Sequence, residues 1–320
     1  MFSKLCVVAL GGNALLHRGE AMEAQTQRAN IAIAAQSLAA LVHSRTLVIT
    51  HGNGPQIGLL ALQAEGYPDA RPYPLDVLGA ETQGMIGYLI EQELRNRLPE
   101  REITSLLTQV IVSADDPAFL NPTKPIGPMY TKEEAEDAAQ KRSIAIAKDG
   151  SGFRRVVPSP APLRIVEINT IRLLVDASVI VICGGGGGIP VVVSPEDRLI
   201  GVEAVIDKDA SAALLAEELG AGTLVLLTDV SAVWTNYGQS SARAIRQASP
   251  AALAHHSFAQ GSMGPKIAAA CRFVERTGGT AAIGALQDAE AILEGRKGTI
   301  IRADPNELLF YPADELMPSW

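Results

Sequence analysis

The chain has 320 residues, 47% of them apolar, which is enough for one large α/β domain or two smaller ones and too apolar for disorder. Its formal net charge of −8 argues against general nucleic-acid affinity, so any anion site must be built locally from a few lysines and backbone amides. The five histidines (17, 43, 51, 255 and 256) form no HExxH or other zinc pattern, and Cys6, Cys183 and Cys271 have no paired spacing; the thiols read as small buried hydrophobes in a reducing compartment.

The chain opens with "MFSKLCVVALGGNALL". A lysine before an apolar run outlines a signal peptide, but Gly11-Gly12-Asn13 stops the run after six residues and no small-residue cleavage site follows, so 5–10 reads as a first strand. No apolar run approaches the ~18 residues that span a bilayer. A cytoplasmic protein without a membrane partner is expected. Further strands are expected at 46–50, 103–112, 179–183, 223–228 and 280–284, and helices at 25–41, 79–98, 169–176, 207–219 and 265–277. Such alternation predicts an α/β fold, a mostly parallel sheet with helices on both faces. Residues 115–162 break the rhythm with seven prolines and the charged stretch "TKEEAEDAAQKR". The segment is too long for a plain crossover and reads as a small inserted lobe, either a lid or a surface decoration. Residues 1–302 then form the main domain and 303–320 a tail.

In open α/β sheets ligands bind beyond the carboxyl ends of the strands. Three expected strands end in glycine there: Gly11-Gly12-Asn13, Gly52-Asn53-Gly54 in "HGNGPQIG", and Gly184, Gly185, Gly186, Gly187 and Gly188 in "VICGGGGGIP". Each is read as leading toward a helix, where backbone amides can hold phosphate or carboxylate. GxxxxGK[ST] is absent, none of the loops fits GxGxxG, and there is no GxSxG. Two lysines open helices, Lys208 in "VIDKDASAALL" and Lys266 in "GSMGPKIAAA". A lysine there opposes the helix dipole, which suggests an anion to be bound. Asp207 can cap the first of these helices, and Asp209 can orient the Lys208 ammonium. Lys124 stands between prolines in "NPTKPIGPMY", and Thr228 and Asp229 end the strand of "LTDV". Glycine cradles with isolated lysines, and no histidine base or catalytic cysteine, describe phosphoryl transfer to an acceptor that is already an anion.

"VVALGGNALL", "HGNGPQIG", "PLDVLGAETQGMIGYLIEQEL", "DDPAFLNPTKPIGPMYTKEEAE", "RRVVPSP", "VICGGGGGIPV", "EAVIDKDASAALLA", "LTDV" and "GSMGPKIAAA" together resemble the carbamate kinases of the amino acid kinase superfamily, in order and over about 4–301. The resemblance implies a homodimer of three-layer αβα sandwiches around an eight-stranded, mostly parallel sheet. It implies reversible transfer between ATP and carbamate giving ADP and carbamoyl phosphate, with Mg2+ on the nucleotide, often used to make ATP. The three glycine loops would surround the phosphoryl and carbamoyl groups, with Lys208 and Lys266 flanking the phosphoryl and Lys124 swinging in from the lobe. Thr228, Asp229, Met263 and Gly264 would lie by the nucleotide. The pattern departs from the family at Ser231, at Phe153, in "IGAL" near 283 and in the long tail. The pathway stays open between arginine, agmatine, purine and allantoin breakdown. Rival readings are another acyl-phosphate kinase of the superfamily and a catalytically silent nucleotide-binding regulator.

Overall fold

The structure is a computed structural model that describes residues 4–12, 15–16, 19–66, 71–142, 144–150, 152–259, 261–303, 308–312 and 315–316. In chain order the elements are β1 (Leu5–Leu10), α1 (Ala24–Leu41), β2 (Thr46–His51), α2 (Gly54–Glu65), α3 (Leu75–Arg97), β3 (Ile103–Ser105), β4 (Gln109–Ile111), β5 (Lys124–Tyr130), α4 (Lys132–Arg142), β6 (Ile146–Asp149), β7 (Gly152–Val157), β8 (Arg164–Ile165) and α5 (Ile168–Asp176). There follow β9 (Ile180–Ile182), β10 (Ile189–Val193), β11 (Leu199–Gly201), α6 (Lys208–Leu219), β12 (Thr223–Thr228), β13 (Val233–Thr235), β14 (Arg243–Ala248), α7 (Pro250–Leu253), α8 (Met263–Thr277), β15 (Thr280–Ala285), α9 (Ala289–Leu293), β16 (Thr299–Ile301) and β17 (Leu308–Phe310).

The main sheet has ten described strands, in the order β13-β14-β16-β15-β12-β1-β2-β9-β3, with β17 beside β14. Its centre is parallel: β15, β12, β1, β2, β9 and β3 all run the same way. β1 is buried along its whole length, as suits a parallel strand covered on both faces. Its residues divide by the period of two: Val7 and Ala9 face the core under α5, α6 and α8, while Cys6, Val8 and Leu10 face the core under α1, α3 and α9. That is a three-layer αβα sandwich. The sheet exceeds the eight strands implied by resemblance, in part because the tail returns as β17 and pairs antiparallel with β14.

The strand expected over 103–112 is two strands in two sheets. β3 closes the edge of the main sheet, and β4 belongs to a second, four-stranded sheet of order β11-β10-β4-β8. The break falls at Thr108, whose backbone N–H and C=O both pair with the Gln83 side chain on α3. The third sheet, β5-β7-β6, is fully antiparallel and lies with α4 inside the proline-rich segment. This small sheet meets α2 at a glycine pair: a Cβ on Gly58 would fall 1.9 Å from the Gly127 Cα. Arg154 holds the Gly127 carbonyl with Nε at 3.0 Å and Nη2 at 2.7 Å.

Candidate active site

The strands β12, β1, β2 and β9 are consecutive in the main sheet, so their carboxyl ends share one edge. Gly11 donates its N–H to the Leu227 carbonyl at 2.9 Å, and Gly52 donates to that of Leu10 at 3.1 Å. A Cβ on Gly52 would sit 3.0 Å from the Gly12 nitrogen, so these two loops need glycine because their backbones touch. Thr228 and Asp229 end β12 at the same edge, joined by the Thr228 hydroxyl donating to Asp229 Oδ1 at 3.0 Å. Asn13 lies outside the described residues.

The run Gly184–Gly188 leads through a single 3-10 turn into β10, a strand, and not into a helix as expected. It carries the chain from the main sheet to the second sheet. Gly184, Gly186, Gly187 and Gly188 all have positive φ, from +62° to +96°. Gly185 has ordinary φ, but a Cβ there would lie 2.4 Å from the His51 ring. Cβ atoms on Gly186 and Gly187 would lie 2.1 Å from the Asn53 side chain and 2.4 Å from the Ile206 carbonyl oxygen. Protein atoms, before any substrate, fill the space around these glycines. The amide of Gly184 donates to Thr108 Oγ1 and those of Gly187 and Gly188 donate back into the turn, leaving Gly185 and Gly186 with unpaired amides among the described residues.

α6 leads into β12 and α8 into β15, and such crossover helices run back along their strands. Their N-termini therefore lie at the glycine edge. Lys208 is the first residue of α6 and Lys266 lies in the first turns of α8. Both ammonium groups meet one carboxylate: Lys208 Nζ is 2.5 Å from Asp209 Oδ1 and Lys266 Nζ is 3.0 Å from Asp209 Oδ2. Burial alone would raise the Asp209 pKa, but the two lysines hold it well below the ordinary value. Burial lowers the pKa of Lys208, opposed by Asp209. Asp207 caps α6, its Oδ1 accepting from the amides of Asp209 and Ala210 at 3.0 and 3.1 Å. Its other oxygen takes Lys124 Nζ at 2.5 Å, which ties the small sheet to the lysine helix. Met263 opens α8 and packs on the core, while the Gly264 amide is engaged with the Ala259 carbonyl at 2.8 Å.

Sequence reasoning named Asn53 but passed over the other polar residues beneath the cradle. Thr50 Oγ1 donates to the Gly184 carbonyl at 2.8 Å, and Asn53 Nδ2 donates to Thr82 Oγ1 at 2.8 Å. Asn53 therefore makes no side-chain cap, and the first amides of α2 stay open toward the cradle. His51 is buried against Gly185, with Nδ1 3.0 Å from the Gly52 carbonyl; burial first, and Lys208 as well, lower its pKa to about 4, so it stands neutral. The readable signal was "GAETQG": Thr82 and Gln83 lie on the buried face of α3, where only a polar partner accounts for them.

Among the described residues no helix is long and apolar enough to cross a membrane. The chain matches the profile of the amino acid kinase family over residues 4–284. It is 54% identical over 306 residues to the carbamate kinase of Haemophilus influenzae, covering 95% of this chain and 99% of that one. The carbamate kinase of Giardia lamblia bound to citric acid superposes with a TM-score of 0.88 at 39% identity, over 94% of this chain and 98% of the other. The same Giardia enzyme bound to AMP-PNP gives a TM-score of 0.85 at 39% identity, over 94% and 98% of the two chains. The chain with this sheet edge of touching glycine loops and two lysines on one aspartate thus belongs to the amino acid kinase family, on its carbamate kinase branch.

Proposed function

We propose that the chain catalyses reversible phosphoryl transfer between ATP and carbamate, giving ADP and carbamoyl phosphate, and that cells use it to make ATP. The observation that carries this is the Lys208–Asp209–Lys266 cluster beside the glycine cradle. In the direction of ATP synthesis, an oxygen of the ADP β-phosphate attacks the phosphorus of carbamoyl phosphate. The bond from phosphorus to the carbamoyl oxygen breaks, and carbamate leaves with the electron pair. Carbamate leaves as an anion, and attacks as one in the reverse direction, so no proton needs to move and no base is required. Lys208 and Lys266 neutralise the charge gathering on the transferring group, and Asp209 fixes where their ammonium groups stand. Gly11, Gly12, Gly52, Gly54, Gly185 and Gly186 line the cradle, and Asn53 shapes it. Thr228, Asp229, Met263 and Gly264 form the nucleotide side.

Among the described residues no three His, Cys, Asp or Glu side chains gather in a group that could hold a metal. The Mg2+ is read as arriving on the nucleotide phosphates and keeping its waters. Residues 1–302 are read as one kinase domain, with the lobe at about 115–162 as an insertion that presents Lys124 and 303–320 as a tail. A homodimer fits the open edge at β3, where Tyr88 on α3 and Leu107 after β3 are both exposed and line one hollow. The cytoplasm suits three thiols that form no disulfide among themselves.

The test is ATP formation from ADP, Mg2+ and carbamoyl phosphate by wild type and Lys208→Ala side by side. Robust ATP from wild type and its loss in the variant are expected. No ATP above the chemical background, with nucleotide still binding, overturns the reading.

A further inference from the structure

The five-glycine turn is clasped at its first residue from two sides. The Gly184 amide donates to Thr108 Oγ1 at 3.0 Å, and the Gly184 carbonyl accepts from Thr50 Oγ1 at 2.8 Å. The Thr108 hydroxyl proton goes to the Leu106 carbonyl at 2.9 Å, so a lone pair is left for the Gly184 N–H. Thr108 is gripped in turn by Gln83 of α3, whose Oε1 accepts from the Thr108 amide at 2.9 Å and whose Nε2 donates to the Thr108 carbonyl at 3.2 Å. Thr50, Gln83 and Thr108 are all buried, where a polar group released from its partner is costly, so the chain of bonds holds one geometry.

The clasp sits where the backbone changes hand. Gly184 and Gly186 are left-handed, with φ +62° and +67°, on either side of Gly185 with its ordinary φ. Such alternation turns successive N–H groups to one side and makes a concave anion site. Beyond the two free amides the turn is fixed by packing, since a Cβ on Gly187 would lie 2.4 Å from the Ile206 carbonyl oxygen and one on Gly188 2.3 Å from Val110 Cγ2. Before them it is fixed by the clasp. The passage between the two sheets does not depend on the Thr108 hydroxyl, because the Thr108 carbonyl takes the Ile189 amide at 2.8 Å.

We propose that Thr108 and Gln83 are positioning residues of the active site, a proposal that rests on carbamoyl phosphate being the substrate of the cradle. Gln83 sets Thr108, and Thr108 Oγ1 sets the Gly184 amide, so that the amides of Gly185 and Gly186 meet the substrate oxygens already aligned. Neither side chain touches the substrate. Donors fixed beforehand stabilise developing charge without reorganising, and a small tilt of the turn forfeits that.

The experiment measures ATP formation from ADP and carbamoyl phosphate by wild type, Thr108→Val, Thr108→Ser and Thr277→Val. Thr277 is the control. Its Oγ1 accepts from the Gly279 amide at 3.0 Å and donates to the Phe273 carbonyl at 2.7 Å, the same exchange at the far end of α8 from Lys266. Each valine is expected to lower the melting temperature by about 2–6 °C. At a temperature where all four are folded, kcat/KM for carbamoyl phosphate is expected to fall about 10–100-fold in Thr108→Val while KM for ADP holds. Thr108→Ser and Thr277→Val are expected to stay within about threefold of wild type. Gln83→Met should lose about as much as Thr108→Val, and the double variant little more than either, because the two residues act in series. Where a variant does not fold, Thr50→Val stands for Thr108→Val and Gln83→Glu for Gln83→Met, under the same expectations. Wild-type constants in Thr108→Val, an equal loss in Thr108→Ser or Thr277→Val, or losses that multiply in the double variant would overturn the proposal. A wild type that makes no ATP from carbamoyl phosphate refutes the carbamate reading itself, and that result is seen before any variant is measured.

Discussion

Lys124, on the first strand of the small sheet, lies with Nζ 2.5 Å from Oδ2 of Asp207, the residue that caps the lysine-bearing helix. Both side chains keep about a quarter of their surface exposed, 28% and 26%, so the pair is worth no more than about 0–1 kcal/mol of stability. In the proposed function the pair serves to hold Lys124 for the phosphoryl group. Lys124→Ala is predicted to leave the melting temperature almost unchanged and to cut kcat/KM for carbamoyl phosphate about 100-fold. Asp207→Asn keeps a good cap, whereas Asp207→Ala loses one and is predicted to cost about 1 kcal/mol more, measured by urea unfolding. Equal stability of the two Asp207 variants would show that the cap is idle.

Asp209 separates two lysines that would otherwise face each other inside the protein. Asp209→Asn leaves both buried charges without a counterion, and a loss of about 3–5 kcal/mol is predicted. Inorganic phosphate should restore part of it by binding between the ammonium groups, seen as a larger phosphate-induced rise in melting temperature than in wild type. The sign with pH follows from the depressed carboxyl. Its folded pKa lies below the ordinary 3.8, so the unfolded chain takes the proton first. The stabilisation is complete above about pH 4 and is lost as pH falls through the folded value. Lys208 works at the other end of the scale: its lowered pKa makes its own contribution grow as pH rises toward the ordinary 10.5. Acid titration of unfolding should therefore show a steep loss in wild type that is flattened in Asp209→Asn.

The layered fold and the lysine cluster were legible in the sequence because they rest on local signals. Apolar runs mark strands buried on both faces, and a lysine opening an apolar helix contradicts the helix dipole unless something answers it. The Asp207 cap was legible for the same reason. What the sequence hid was long-range. The apolar run from Ile103 to Val112 gives no sign that its ends pair in different sheets, since the break is made by Gln83, 25 residues earlier on α3. The five glycines announced a special backbone, but which neighbours crowd them depends on His51, Asn53 and Ile206 arriving from other loops. Likewise Lys124 was readable as a stiffly presented cation, while its partner Asp207 is 83 residues away.

The thiols give a separate check on the packing. Burial pushes Cys6 and Cys183 up to about 12, and Cys271, half-buried on α8, up to about 11. The thiolate is the reactive form, so at pH 8 native protein is predicted to react slowly with a thiol-specific disulfide reagent, and at Cys271 before the others. All three should react at once in guanidinium. Rapid native labelling of Cys183 would mean that β9 and the glycine turn after it open readily, against the close packing found there.

The glycines of the cradle divide into two kinds, and substitution separates them. At Gly186 the backbone has φ +67°, and a Cβ would stand 2.1 Å from the Asn53 side chain, so Gly186→Ala meets strain and collision together. A loss of about 2 kcal/mol or more is predicted, with activity falling in step with folded protein. Gly54 has no positive φ and open space around its would-be Cβ, so Gly54→Ala costs the fold nothing and is predicted to leave the melting temperature within about 1 °C. In the proposed function the carbamoyl group lies beside this loop, and the methyl takes room there. KM for carbamoyl phosphate should therefore rise about tenfold or more while KM for ADP holds, because only the acceptor end of the site has lost room. A Gly54→Ala enzyme with unchanged constants would place the carbamoyl group away from this loop, and the glycine there would then serve only the turn into α2.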